Sequence, residues 1–341
     1  MRTKYLTPKS TRAPGVLFPL DAFAQQSDDG FHLLQRGMEQ AGWISAGYGM
    51  RGPRRHDSTN VEEVLRIYRP RAVLLWPRWQ WDWAVGHHHG IGPEHCLQNW
   101  HRLLDDESTL RVTVLRDAAA LPDEHRRWHD EFRPHRYLVW HHARSVRRLW
   151  PGIAEVQLIR TRHTVDAALL AEIGDAPSRP GTCVLFGEIQ PDEHPLLWRL
   201  HEAIRHGRTC GLIDEFPPRD YSLGQSESVG HVQRLSAYKV AICGASAHRF
   251  CVREIFEATL AGCIVITDLP RWDMVPWIDG NLIRVPTFAP VPELLKIIKR
   301  AADEWNPAKQ RRYAAWTAQH HDYRVRGREV AEAIKQAMEV K

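Results

Sequence analysis

Long apolar runs are missing from this chain of 341 residues. Its opening, MRTKYLTPKSTRAPG, contains no hydrophobic stretch, and no later segment stays apolar for the length of a bilayer crossing. The expectation is a cytoplasmic protein without a secretory leader or membrane span. Cysteine is sparse as well. Cys96, Cys183, Cys210, Cys243, Cys251 and Cys263 are scattered, with no Cys-x-x-Cys pair, and several lie in apolar strands. That argues against a disulfide frame or zinc site and for small core residues in a reducing compartment. No Asp-x-Asp pair stands at a strand end, so no divalent metal is implied. Charge of one sign is not in large excess either: 46 Lys and Arg against 41 Asp and Glu leave +5. This balance suits a phosphate-bearing ligand but falls short of a dedicated nucleic-acid binder.

What is present is an ordinary globular composition, 43% hydrophobic and 26% charged, on a chain with room for two domains. Short apolar runs alternate with helical patterns: strands at GVLFPLDAF, RAVLLWPRW, RVTVLRD, RYLVWHH and EVQLIR, helices at GFHLLQRGMEQAGW, VEEVLRIY, EHCLQNWHRLL and ARSVRRLW. GDAPSRPGT (174–182) reads as a linker. A second alternation follows, with strands CVLFGEI, CGLIDEF, VAICGA, CIVITD and NLIRVP between helices, ending in helical segments near the C-terminus. Strand–helix alternation predicts parallel βαβ units, here two Rossmann-like halves facing across a cleft. Ligands of such sheets bind beyond the carboxyl ends of the strands.

The most informative stretch is VREIFEATLAGCIVITDLP, Val252 to Pro270. Val252, Ile255, Phe256, Thr259 and Leu260 follow helical spacing, Gly262 supplies a left-handed exit, and CIVIT has the apolar continuity of a central parallel strand ending at Asp268. Arg249, Arg253 and Glu257 stand four apart and are expected on one helical face. One reading is a surface Arg253–Glu257 salt bridge, worth roughly 0.3–0.5 kcal/mol. The other starts from the dipole, which disfavours cations at a helix start. An anionic ligand there would remove the conflict, with a diphosphate on the helix N–H groups and arginines, and a carboxylate further on accepting from sugar hydroxyls.

R-x-x-F-E-A-x-x-A-G-x-x-x-I-T-D, Arg253 to Asp268, resembles the donor-binding segment of GT-B glycosyltransferases, and more closely the "glycosyl transferases group 1" branch of CgeB-like proteins. The resemblance covers about Thr161 to Pro286. It implies a GT-B fold, with Glu257 on the ribose of a nucleotide-sugar donor and Arg253 on phosphate or anchoring the helix. It also implies a donor site including Gly187, in the loop after CVLFGEI, and Arg199, which with His194 and Pro195 is similar to a "YP-x-R" region. His248, Arg249 and Asp268 complete the expected set. RHTVD, Arg162 to Asp166, is similar to the segment that ends the first domain in such enzymes. Retaining family-4-type enzymes carry a glutamate eight residues before the "EA" glutamate; here that position is Arg249.

Outside that segment, WAVGHHHGIGPEH gathers His87, His88, His89 and His95 with Glu94 in a glycine-rich loop. Neighbouring side chains diverge, which disfavours one metal ion; His88 or His89 suits an acid, a base or a sugar contact better, or each simply belongs to a plain surface loop. Asp117 and Asp21, at strand ends, are alternative bases or simply loop caps. Arginine interleaved with Trp76, Trp79, Trp81 and Trp83 can stack on sugars or single-stranded nucleic acid, or merely fill core and loop. The expectation is a glycosyltransferase with acceptor domain 1–173, linker 174–182, donor domain 183–320 and a final segment 321–341 that crosses back. It needs no cofactor or metal, its donor is a nucleotide-sugar with UDP favoured, and its acceptor is open between a small molecule, a protein or envelope glycan and a modified DNA base. A sugar-nucleotide epimerase and a non-catalytic nucleotide-binding protein are the alternatives.

Overall fold

The computed structural model describes residues 13–18, 29–47, 54–75, 97–115, 122–173, 178–187, 189–216 and 225–340. The apolar runs of the first half become β1 (Val16–Phe18), β2 (Ile44–Ala46), β3 (Arg55–His56), β4 (Ala72–Leu75), β5 (Leu110–Val114), β6 (Arg136–Val139) and β7 (Leu158–Arg160). They form one sheet in the order β3-β2-β1-β4-β5-β6-β7. Val16 pairs with Ile44 on one side and Val73 on the other, both in parallel. Val16 to Phe18 and Ala72 to Leu75 are all buried, the pattern of parallel strands covered by helices on both faces.

The second half builds β8 (Gly181–Leu185), β9 (Ile213–Glu215), β10 (Tyr238–Ile242), β11 (Ile264–Thr267) and β12 (Leu282–Arg284), ordered β12-β11-β10-β8-β9, again parallel throughout. Each sheet changes winding direction once, between β1 and β4 and between β8 and β10. At such a switch point the loops diverge to opposite faces and leave a crevice. The loops leaving β1 and β4 fall largely outside the described residues.

Two expectations need correcting. Gly181 and Thr182, assigned to the linker, already belong to β8, because Gly181 pairs with Tyr238 of β10 and its N–H donates to the Ala237 carbonyl at 3.0 Å. Of the helix expected over EHCLQNWHRLL, only Arg102–Asp105 is helical among the described residues. Gln98 instead pairs with Asn60 in an isolated bridge, and Asn99 adopts a left-handed φ of 56°, which stops a helix from reaching further back.

The two sheets are joined by two chain crossings that lie side by side. The Val165 N–H donates to the His321 carbonyl at 2.9 Å, and the Tyr323 N–H donates to Val165 at 3.0 Å. The Asp322 carboxylate accepts from Ala167 N at 3.0 Å and from Arg324 N at 2.8 Å, capping the last helix, Tyr323–Glu339. That helix packs on helix Asp29–Gln40, and its Val330 and Ile334 enter the core formed with Val16, Leu34 and Met38 of the first sheet's layer. Gly37 and Gly327 make the crossing possible: a Cβ on Gly37 would fall 2.0 Å from the Tyr323 carbonyl oxygen, and one on Gly327 2.2 Å from the Gly37 carbonyl carbon.

Candidate functional site

The switch point between β8 and β10 opens toward the first sheet. Beyond β8 the chain turns at Gly187, whose φ of 108° belongs to the left-handed region that favours glycine. A Cβ there would stand 3.8 Å from Cγ and Oε1 of Glu254, so the backbone of this loop runs beside the start of helix Glu254–Leu260. Beyond β10 the chain is tied down in two directions. Ala245 N donates to Asp268 Oδ1 at 2.6 Å, and Ala247 N donates to the carbonyl of Glu193, in the loop after β8, also at 2.6 Å. Asp268 thus links the carboxyl ends of β10 and β11. Burial pushes its pKa up, although hydrogen bonds from Thr287 and Ala245 work in the opposite direction.

The helix that follows answers the puzzle of its arginines differently from the spacing argument. It starts at Glu254, with Arg253 as the capping residue, and Arg249 lies before it in a turn with φ of 60°. Arg249 therefore shares no helical face with Glu257, because its backbone breaks the helix that the four-residue spacing assumes. Arg249 is exposed and His248 half-buried. Arg253 and Glu257 do pair, Nη2 to Oε1 at 2.8 Å. The pair is not a surface salt bridge: Glu257 is buried on the helix side that faces the protein. His231, from helix Gln225–Leu235, places Nε2 4.0 Å from the other carboxylate oxygen. Gly262 ends the helix at φ 78°, as its position after the apolar pattern predicts.

Across the crevice the first sheet contributes the end of β6 and the helix after it, Ala143–Leu149. His141 stacks on Phe250 with ring centroids 3.7 Å apart and planes within 3°. Ser145 Oγ donates to the Arg249 carbonyl at 3.4 Å, and His163 Nε2 lies 3.0 Å from the Cys251 carbonyl. His142 caps its helix by accepting from Arg144 N at 3.1 Å, and its ring meets Trp272 edge-on at 5.1 Å. Burial, then the nearby Arg160, lowers the His142 pKa. With Nδ1 used as an acceptor, the neutral ring carries its proton on Nε2 and is a donor. Beside this contact, Arg160 and Arg162 both donate to Oδ1 of fully buried Asp273, at 2.9 and 2.8 Å, joining β7 to the loop after β11.

The expected donor residues are therefore only partly gathered. Gly187, His248, Arg249 and Arg253 lie on the chain segments beyond β8 and β10, while Glu257 is buried and paired with Arg253. Arg199 turns to the loop after β12, donating to the Thr287 carbonyl at 3.4 Å with its guanidinium 6.0 Å from the Phe288 ring. His88, His89 and Asp117 lie outside the described residues, as do Asp21, His87, Glu94, His95 and the tryptophans at 76, 79, 81 and 83. Among the described residues no cluster of three or more His, Cys, Asp or Glu is arranged to hold a metal ion. None of their helices is long and apolar enough to cross a membrane. Sequence reasoning missed His231, His141 and His142. The last two had a signal, since WHHARS follows an apolar strand and opens a helix; His231 had none.

Solved structures align with this chain over nearly its full length. A glycosyltransferase from Rickettsia africae covers 97% of it and 100% of its own chain, at TM-score 0.59 and 11% identity. Sucrose-phosphate synthase from Thermosynechococcus elongatus covers 97% and 100%, at 0.58 and 10%. HepE of Anabaena, solved with UDP-glucose, covers 94% and 99%, at 0.56 and 12%. The fold is GT-B. No protein-family model matches the chain, and no curated protein matches it by sequence. In GT-B terms the two Rossmann-like sheets turn their carboxyl ends toward each other. The 140–145 and 248–251 loops meet between them, next to the crevice edged by Gly187 and Glu254.

Proposed function

We propose that this protein is a nucleotide-sugar glycosyltransferase of the CgeB-like kind. One observation carries the reading: within a GT-B fold, the second sheet's switch point brings Gly187 beside the helix whose Arg253 and Glu257 form a buried pair. The motif from Arg253 to Asp268 supplies the family reading of those residues, with Glu257 accepting from ribose hydroxyls and Arg253 near the diphosphate. UDP is the favoured nucleotide, supported by the UDP-glucose complex of the similarly folded HepE.

In the reaction, the bond from the anomeric carbon to the diphosphate oxygen breaks and an acceptor oxygen or nitrogen bonds to that carbon, giving up its proton to a base. Arg253 stabilises the charge that develops on the departing diphosphate, the electrostatic contribution such a transfer most needs, and exposed Arg249 adds to it. The half comprising residues 1–173 would hold the acceptor, a modified DNA base being one member of the class, and would supply the base from His88, His89 or Asp117. No redox cofactor or divalent metal enters this scheme. Incubation with UDP-glucose, UDP-galactose and UDP-N-acetylglucosamine should release UDP, and Arg253→Ala should slow that release. Nucleotide binding without release from any sugar nucleotide would favour a non-catalytic binding protein.

A further inference from the structure

We propose that His231 fixes the Glu257 carboxylate for the ribose hydroxyls of the donor, making the site selective for ribonucleotides over 2′-deoxyribonucleotides. This rests on the donor-site reading above. Two helices meet at the carboxylate. Arg253, at the N-cap position of the helix, holds Oε1 at 2.8 Å, and His231 arrives from helix Gln225–Leu235 with Nε2 4.0 Å from Oε2. Only 5% of the Glu257 side chain and 5% of the His231 side chain are exposed, so a hydroxyl reaching this carboxylate would meet it away from bulk water. There a misdirected oxygen costs more than it would at the surface.

The last torsion of a glutamate is broad, so one anchored oxygen leaves the carboxylate plane poorly defined. A charged or donor group at the second oxygen narrows it. His231 is suited to that task because its own ring is confined. Phe186, the residue before Gly187, lies 5.3 Å away and tilted, and Phe216, just after β9, lies 6.3 Å away and edge-on. Both ring contacts are ones an aromatic ring of similar size could keep, so His231→Phe removes the polarity of the ring while retaining its shape. In this proposal the polarity of the ring serves the carboxylate oxygen 4.0 Å away. It also couples the carboxylate to the loop leaving β8, along which the diphosphate would lie.

A site that hydrogen-bonds a substrate hydroxyl rejects the analogue lacking it, because its buried polar groups are then left unmatched. The test is calorimetric titration of UDP and 2′-deoxy-UDP into the wild type, His231→Phe, His231→Gln and Glu257→Gln. The wild type should bind UDP roughly tenfold or more tightly than 2′-deoxy-UDP, the worth of one hydrogen bond to a charged group. His231→Phe should bring that ratio to about two or less while leaving the 2′-deoxy-UDP affinity within roughly twofold, and His231→Gln, which retains a donor, should restore most of it. If His231→Phe does not fold, His231→Asn, polar but too short to reach, takes its place. An unchanged ratio, or equal weakening of both nucleotides, would overturn the positioning role. Loss of the ratio in Glu257→Gln alone would leave the donor reading standing without His231. A wild type that binds neither nucleotide would overturn the donor reading and this inference with it.

Discussion

Arg253 and Glu257 illustrate what spacing can and cannot reveal. A separation of four places the two side chains together, and they do pair at 2.8 Å. What the spacing could not reveal is that the carboxylate is buried, because its neighbour His231 belongs to another helix. The same spacing misled at Arg249, which lies in a left-handed turn before the helix begins at Glu254, a break that a pattern of charges does not show. If the pair serves a donor nucleotide, Glu257→Ala should weaken UDP binding by more than about tenfold in calorimetry. Arg253→Ala should lower transfer by about a hundredfold, the usual effect of removing one stabiliser of developing negative charge. Wild-type kinetics in both variants would contradict the assignment.

A second residue-scale prediction concerns acid stability. His321 is fully buried, with Arg326 donating to its Nδ1 at 3.2 Å and its Nε2 3.5 Å from the Pro276 carbonyl. Burial first, then Arg326, pushes its pKa down to about 3. Below its ordinary value of 6.5 the unfolded chain takes up a proton that the folded chain refuses. Stability present above pH 6.5 is therefore lost as pH falls from there toward 3, by up to roughly 1.4 kcal/mol per pH unit. Denaturant titrations between pH 7 and pH 4 should show that slope, and His321→Gln should flatten it. An identical slope in the variant would assign the acid sensitivity to other groups.

At the level of elements, the strands were legible because buried parallel strands are continuous apolar runs, and VLF, AVLL, VAI and IVIT need no partner to be recognised. The start of β8 was not, since Gly181 and Thr182 look like linker until Tyr238 of β10 pairs with the first of them. The Gly37–Gly327 contact was invisible for a related reason: two glycines in separate helices, far apart in sequence, acquire meaning only when the helices cross. Gly327→Ala should force the crossing apart and destabilise the protein by about 1–3 kcal/mol, the cost of overpacking a close contact. Thermal unfolding would register it. A melting temperature equal to that of the wild type would mean that the crossing is looser than its backbone distances imply.

Across the whole molecule, the two-sheet GT-B architecture was legible from alternation and one motif, whereas the way the sheets are joined was not. Nothing in EVQLIRTRH links Arg160 and Arg162 to a partner, yet both donate to Asp273, more than a hundred residues later. Asp273→Asn would leave two arginines at a buried junction without their counter-charge, and about 3–5 kcal/mol of stability should go with it. Differential scanning calorimetry of the variant should show a lowered transition, and two separate transitions would identify Asp273 as the residue that makes the halves unfold together. A single transition at the wild-type temperature would contradict that coupling.

The central claim, a donor nucleotide bound at the switch point between β8 and β10, is tested most directly by thermal shift against UDP, GDP, ADP, CMP and dTDP, in the wild type and Glu257→Ala. The account predicts stabilisation of the wild type by one ribonucleoside diphosphate, UDP, and its loss in Glu257→Ala. No shift with any nucleotide, or a UDP shift that survives in Glu257→Ala, would contradict it.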